Sequence, residues 1–181
     1  MDTPELISAA QAGDFQAFNR LVLDHQDTLY SLASYLCPGQ EAEPLMRSTV
    51  QRIYRDLPTC RETDFHLWLV TMVVKSWRSA PQPRRFWRKQ ARSGQQNEPT
   101  LHTSASRSRH PVSPGRMSPE IRDCLLDLPP ELRVVMILVD LEGLSYVQAA
   151  SALGVPKTTV RKRLAKGRRV LSNQLPGAFL S

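Results

Sequence analysis

The chain has 181 residues, enough for one domain or two small ones, and its 14 prolines and hydrophobic fraction of 41% indicate that part of it does not join a core. No apolar run approaches the ~20 residues that a transmembrane helix requires, so we expect no membrane insertion. The acidic start, MDTPELISAAQ, lacks the basic and then apolar layout of a signal peptide, which favours a cytoplasmic protein.

The spacing of the cysteines and histidines argues against a metal-binding protein, and the lack of catalytic motifs argues against an enzyme. Cys37, Cys60 and Cys124 lie far apart without a CxxC pair, and the four histidines do not stand at metal-ligand spacing. We therefore expect reduced thiols and neither a metal nor another cofactor. The sequence also lacks a Gly-rich phosphate loop and a nucleophile elbow, so we do not expect an enzyme.

The net charge of +7 is unevenly distributed along the chain. Residues 75–116 hold ten Lys and Arg against one acid, and residues 157–181 hold seven and no acid. The segments before and between them are acidic overall. This separation indicates a polyanion contacted at two places rather than a surface charged for solubility.

The first 78 residues predict an all-helical block. Gly13 ends a first short helix, and Asp14 is predicted to cap the next one. Apolar residues then recur near the 3.6-residue period through residues 15–36. A further helix is predicted from Pro44, which the first turn tolerates, and another from about Asp64.

Residues 79–119 are rich in Pro, Ser, Gln and Arg and poor in aliphatic side chains. Such a segment cannot bury enough apolar surface to offset the entropy of ordering, so we predict a flexible basic linker. The Phe86-Trp87 pair is the exception and is predicted to dock locally. Residues 120–175 then form a second small domain of at most four short helices, in which Gly143 closes the apolar helix ELRVVMILVDLEG.

The C-terminal block contains a helix-turn-helix pattern. Ser145 and Gln148 form an S-x-x-Q capping box, Gly154 can adopt the left-handed conformation that ends a helix, and Pro156 pre-sets the first turn of the next. In that next helix Val160 and Leu164 point inward, and basic residues cover the opposite face. The pattern predicts a recognition helix in the major groove of DNA, rather than only a solvated basic surface.

Residues 128–171, LPPELRVVMILVDLEGLSYVQAASALGVPKTTVRKRLAKGRRVL, resemble the promoter-binding C-terminal domain of extracytoplasmic-function sigma factors of bacterial RNA polymerase. The stretch ISAAQAGDFQAFNRLVLDHQDTLYSLA resembles the opening helices of that family. EAEPLMRSTVQRIY stands at the place of its polymerase-clamp helix, and FHLWLVTMVVKSWR at that of the helix that opens and reads the downstream promoter element.

The resemblance implies two small helical domains. Residues 1–78 would form a region-2-like domain for core polymerase and the −10 element, and residues 120–175 a region-4-like domain for the −35 element. Implied partners are core RNA polymerase, promoter DNA and an anti-sigma factor.

The resemblance also implies three sets of contact residues. Candidates for the upstream element are Lys157, Thr158, Thr159, Arg161, Lys162, Arg163, Lys166, Arg168 and Arg169. Within this set Arg161, Lys162 and Lys166 are expected to read bases, and the three arginines 163, 168 and 169 to bind phosphates. Candidates for the downstream element are Lys75, Trp77 and Arg78, although Trp77 fits a core position equally well. Candidates for polymerase are Leu45, Arg47, Val50, Gln51 and Tyr54.

Two helices depart from the family pattern. In the clamp helix the family has Gln then Glu where this chain has Arg47 and Ser48, and in the next helix it has Arg-Asn where this chain has Val74-Lys75. These departures leave an alternative open. The chain could be a helix-turn-helix transcription regulator, or a sigma-like interaction protein, that no longer grips core polymerase.

Overall fold

The computed structural model describes residues 2–37, 42–60, 65–80 and 119–174, and the regular secondary structure in these ranges is helical throughout. The all-α prediction is confirmed. The N-terminal unit comprises α1 (Thr3–Gln11), α2 (Phe15–Asp24), α3 (Gln26–Leu36), α4 (Ala42–Asp56) with a 3-10 turn after it (Leu57–Thr59), and α5 (Phe65–Ser79). The C-terminal unit comprises α6 (Pro119–Asp127), α7 (Pro130–Met136) continued by a π-helical turn (Ile137–Leu141), α8 (Tyr146–Leu153) and α9 (Lys157–Gln174).

The predicted linker falls almost entirely outside the described residues, because residues 81–118 are not among them. The predicted docking of Phe86 and Trp87 lies outside them as well. No described helix is both long and apolar enough to cross a membrane. The described ranges also hold no group of three or more His, Cys, Asp or Glu side chains that could bind a metal ion.

Local signals place several helix ends correctly. The Asp14 carboxylate caps α2 and accepts hydrogen bonds from the backbone N–H groups of Gln16 (2.8 Å) and Ala17 (3.1 Å). Gly143 has a φ of 70°, as its predicted capping role requires. The apolar stripe of residues 15–36 is not one helix, however. The chain breaks at His25, whose φ of −116° and ψ of 7° separate α2 from α3.

Most of the core consists of aliphatic side chains that join the two units into one buried cluster. Within the N-terminal unit α1 packs on α2, while α3, α4 and α5 pack on one another. Within the C-terminal unit α9 packs on α6, α7 and α8. The two units also meet, because α5 packs along α8 and α3 contacts α6 and α7.

The crossing of α7 and α9 depends on Gly167, which is buried. A Cβ atom at Gly167 would lie 2.6 Å from the Met136 sulfur and 3.1 Å from its Cγ. The helices can therefore approach this closely only because the position carries no side chain.

We expect Gly167→Val to lower the free energy of unfolding by about 1–3 kcal/mol, since the added methyl groups must displace Met136 in a packed core. Ala165→Val on the exposed side of the same helix is the matched control, and it should change stability by less than about 0.5 kcal/mol. Denaturant unfolding followed by circular dichroism measures both. Equal effects at the two positions would contradict the packing role of Gly167.

Candidate nucleic-acid interface

Three local features form the helix-turn-helix: a capping box, a left-handed glycine and a proline before the second helix. The Ser145 N–H donates to the Gln148 side-chain oxygen at 2.9 Å, and the Gln148 N–H donates to the Ser145 hydroxyl at 3.3 Å, so the predicted capping box is confirmed. Gly154 ends α8 in the left-handed conformation, with φ 61° and ψ 39°. α9 then begins directly after Pro156, and this tight turn fixes its angle to α8.

α9 has a buried face and a basic face. Val160, Leu164, Gly167 and Leu171 are buried against the rest of the C-terminal unit. The side chains on the exposed face are those of Lys157, Thr158, Arg161, Lys162, Lys166 and Arg169. At 100° per residue, Lys162 and Arg169 project almost directly away from the buried face. The face that the sequence assigned to DNA is therefore accessible, and it carries no acidic side chain.

Two predicted phosphate ligands lie near acidic side chains of the protein, and their contact with DNA stays a prediction. Arg168 forms an ion pair with Asp140, and its Nε donates to the second Asp140 oxygen at 3.2 Å. This hydrogen bond raises the pKa of Arg168. Arg163 is half-buried, and burial lowers the pKa of its guanidinium while the charge of Glu131 opposes that shift. Arg168 thus joins α9 to the π-helical turn after α7, and Arg163 is partly buried near Glu131 of α7, whereas Arg169 is turned to solvent.

The three downstream-element candidates differ in exposure. Lys75 is exposed, but Trp77 is only 2% exposed and belongs to the core. Arg78 is half-buried, and its guanidinium lies close to Gly154. A Cβ atom placed at Gly154 would be 2.9 Å from the Arg78 Nη1. In this arrangement the Trp77 indole packs in the core and is not available to stack on a base.

The polymerase candidates lie on two faces of α4. Leu45 is 5% exposed and packs in the core, so it supports α4 without offering a contact. Arg47, Gln51 and Tyr54 are exposed on the opposite face, and Val50 is half-buried beside them. α4 is held in place by the Arg52 guanidinium, which donates to the Ser76 hydroxyl of α5 at 3.1 Å.

An aromatic cluster extends this surface onto α2. The Phe18 ring lies 5.0 Å from the Tyr54 ring in an edge-to-face arrangement and 6.3 Å from Phe15. Phe15 and Tyr54 are 61% and 60% exposed. Phe15 is the first residue of the apolar period predicted through residues 15–36. Its exposure beside Tyr54 makes it a further candidate contact, and we name Phe15, Arg47, Gln51 and Tyr54 the α2–α4 surface.

Comparison with known proteins shows which proteins this chain is similar to. Residues 118–171 match the family described as sigma-70, region 4, a range that contains α6, α7, α8 and most of α9. The chain is 30% identical over 161 residues to the ECF RNA polymerase sigma factor SigE of Mycolicibacterium smegmatis, covering 88% of this chain and 62% of that protein. It is 27% identical over 188 residues to the ECF RNA polymerase sigma-E factor of Escherichia coli, covering 94% of this chain and 92% of that one.

Two solved structures share the fold. The sigma factor RpoE in complex with the anti-sigma factor NepR from Bartonella quintana superposes with a TM-score of 0.62 at 23% identity, over 89% of this chain and 98% of that one. CnrH in complex with the cytosolic domain of CnrY gives a TM-score of 0.60 at 22% identity, over 98% of this chain and 99% of that one. Along most of its length the chain is therefore similar to extracytoplasmic-function sigma factors. Members of this family are transcription initiation factors and not enzymes.

Proposed function

We propose that the protein directs bacterial RNA polymerase to specific promoters. The observation that carries this proposal is the exposed basic face of α9, which lies inside the segment that matches sigma-70 region 4. The capped helix α8 and the turn at Gly154 fix the orientation of this face. The protein performs no chemistry of its own. It supplies sequence specificity, because polymerase is held where α9 reads the −35 element and the N-terminal unit engages the −10 element.

The C-terminal unit acts through α9. Lys162 and Lys166 lie on the exposed face and can donate to guanine edges, and the Thr158 hydroxyl and methyl can contact bases near the start of the helix. Lys157, Arg161 and Arg169 are exposed around them and suit phosphates or neighbouring bases. Thr159, Arg163 and Arg168 act mainly through the position of α9, because they are partly buried or ion-paired.

The N-terminal unit binds core polymerase through the α2–α4 surface. Aromatic side chains with exposed faces and an arginine are the residue types that contribute most to protein interfaces. Leu45, Thr49 and Ile53 are buried beneath this surface and keep α4 rigid. Lys75 remains the candidate for contact with melted DNA at the −10 element, since its ammonium group is exposed at the outer side of α5.

Partners and location follow from the same proposal. Core polymerase and promoter DNA are the functional partners. Of the two solved relatives, RpoE is in complex with the anti-sigma factor NepR, and CnrH is in complex with the cytosolic domain of CnrY. An anti-sigma factor is therefore proposed for this chain too, and the cytoplasm as the place where it works. The two-domain division, with boundaries near residues 78 and 120, belongs to this proposal.

The test is reconstitution with core RNA polymerase on a library of random promoters, read by sequencing of run-off transcripts. We expect transcripts enriched for paired upstream and downstream motifs at fixed spacing. Core polymerase alone, and polymerase with a Lys162→Ala/Lys166→Ala variant, are the controls. Transcripts without motif enrichment would overturn the proposal.

One observation favours a second candidate. The outward residues Arg47 and Ser48 of α4 stand where the family has Gln and Glu, so a regulator that binds DNA without polymerase is the alternative. Such a protein would bind an isolated upstream duplex but would not co-purify with core polymerase from its host.

A further inference from the structure

The recognition helix α9 is held by the C-terminal unit near both of its ends. At its start, the tight turn from Gly154 to Pro156 connects it to α8. Farther along, Arg168 pairs with Asp140, which belongs to the π-helical turn after α7. The turn sets the angle of α9 where the helix begins, and the ion pair restrains that angle at a distance.

The pair between Arg168 and Asp140 has two hydrogen bonds. The Arg168 Nε donates to the Asp140 Oδ2 at 3.2 Å, and its Nη2 donates to Oδ1. Two parallel bonds of this kind fix the relative orientation of the groups as well as their distance. Hydrogen bonding to Asp140 raises the pKa of Arg168 against the opposing effect of burial, and a hydrogen bond with the Tyr146 side chain adds to the rise. We name Asp140, Tyr146 and Arg168 the Arg168 junction.

The residues of α7 that face α9 form one row, and this row ends in Asp140. Leu132, Met136 and Asp140 follow one another at four-residue spacing and so share a side of the helix. A Cβ at Gly167 would lie 2.6 Å from the Met136 sulfur and 3.6 Å from the Leu132 Cβ. The next residue, Arg168, meets Asp140. Close apolar packing and a directional ion pair therefore act on consecutive residues of α9.

The π-helical turn brings Asp140 and the start of α8 to the same guanidinium. The Glu142 N–H donates to the Ile137 carbonyl, five residues back, at 2.9 Å. Such turns are rare, and they occur frequently at functional sites. α8 then begins at Tyr146, so both partners of the guanidinium come from one short segment. The Arg168 junction thus connects α9 to the π-helical turn and to the first residue of α8.

Arg168 lies far enough along α9 to control the direction of the helix. It stands eleven residues after Lys157, the first residue of α9, which is about 17 Å at the rise of an α-helix. A rotation of about 5° at the turn would move Arg168 by about 1.5 Å, more than the spread of hydrogen-bond distances. Lys166 would move almost as far. Recognition groups must be held to within about 0.5 Å, so such a rotation would displace Lys166 from a base edge.

We propose that Asp140 and Tyr146 are positioning residues for the recognition helix, acting through Arg168, and that their hold on its angle sets how sharply α9 discriminates the upstream element from other duplexes. This inference rests on the proposed function, in which Lys162 and Lys166 read bases. It gives Arg168 a role in directing the helix, because its guanidinium is neutralised by the Asp140 carboxylate and adds little to the charge that attracts DNA.

The experiment measures binding of the full chain to two duplexes, one selected by the wild type from a random library and one with the same bases scrambled. Asp140→Asn keeps the shape of the side chain and removes its charge. It should weaken binding to the selected duplex roughly tenfold, because a displaced lysine loses about one base contact. Binding to the scrambled duplex should not fall, because a negative charge is removed. Asp127→Asn, at an exposed position of α6, makes the same charge change and should leave the ratio of the two affinities unaltered.

A charge exchange separates positioning from phosphate binding. Arg168→Asp alone should abolish the preference for the selected duplex, and adding Asp140→Arg should restore most of it, because the ion pair forms again in the opposite sense. An aspartate at this position of α9 does not bind phosphate, so a phosphate contact would not explain the recovery. Tyr146→Phe removes only a hydroxyl group and should give a smaller loss than Asp140→Asn.

Residual dipolar couplings of the backbone N–H groups in α8 and α9 measure the angle between the two helices. The angle should change in Asp140→Asn and return in the exchanged pair. A contribution of the Arg168 junction to stability alone would leave both the angle and the ratio of affinities at their wild-type values, which would overturn the inference.

Two further outcomes have different meanings. If Asp140→Asn strengthens binding to both duplexes alike, Asp140 only competes with DNA for Arg168, and the positioning role is wrong although the proposed function stands. If the wild type selects no sequence from the library, the proposed reading of the upstream element fails, and the discrimination assigned to the Arg168 junction fails with it.

Discussion

Replacing Lys162 and Lys166 together with alanine should reduce binding to the preferred upstream duplex by roughly 30-fold or more, since each base-directed contact is worth about 1–3 kcal/mol. Binding to a scrambled duplex should fall much less, because it depends on charge and not on base edges. Both lysines lie on the exposed face of α9, opposite the buried Val160 and Leu164, so the substitutions leave the packing intact. Titrations on both duplexes across salt concentrations measure the two effects.

The arginines of α9 supply the matched comparison. Arg169→Ala removes an exposed cation and should weaken both duplexes alike while lowering the salt slope by about one unit. Arg168→Ala removes a guanidinium already paired with Asp140, so its first effect should be on thermal stability. An equal loss on both duplexes for the Lys162 and Lys166 variant would make α9 an electrostatic anchor only, contrary to the assignment.

Tyr54→Asp should abolish co-purification with core RNA polymerase. The Tyr54 ring is 60% exposed and packs edge-on against Phe18, so it offers a rigid aromatic contact at the centre of the α2–α4 surface. Losing such an anchor typically costs 2 kcal/mol or more, about 30-fold in affinity, and an aspartate adds a desolvation penalty in the interface.

Tyr30→Asp is the control for this prediction, because Tyr30 is also 60% exposed but lies on α3, outside the α2–α4 surface. It should bind polymerase as the wild type does. Phe15→Ala should weaken binding by an intermediate amount if the aromatic cluster acts as a unit. Equal binding by the Tyr54 and Tyr30 variants would remove α4 from the polymerase interface and favour the DNA-binding regulator.

The correct local predictions share one property, which is that their determinants lie within four residues of one another. The Ser145–Gln148 capping box, the Asp14 cap and the left-handed Gly154 each depend on a side chain and the adjacent backbone. The two faces of α9 depend on helical period alone. These features were therefore predictable from residue types and spacing.

Other features were missed because their determinants are distant in sequence. The ion pair of Arg168 was not predicted, because its partner Asp140 is 28 residues away and belongs to another helical segment, and the phosphate contact expected of Arg168 stays a prediction. Trp77 fitted a core position and a DNA-stacking position equally well, and only the packing around α5 makes it buried. Phe15 fits the apolar period of α2, yet its side chain is 61% exposed.

The sequence by itself determined the helices, the helix-turn-helix and the resemblance to sigma factors, because each of these depends on short-range patterns or on similarity. The tertiary structure alone decided which apolar faces meet. Hydrophobic burial is non-directional, so the buried faces of α5 could pack on any apolar surface of suitable shape. In the structure α5 packs along α8, where small buried alanines let the helices approach, and the His66 Nε2 lies 3.1 Å from the Glu142 carboxylate.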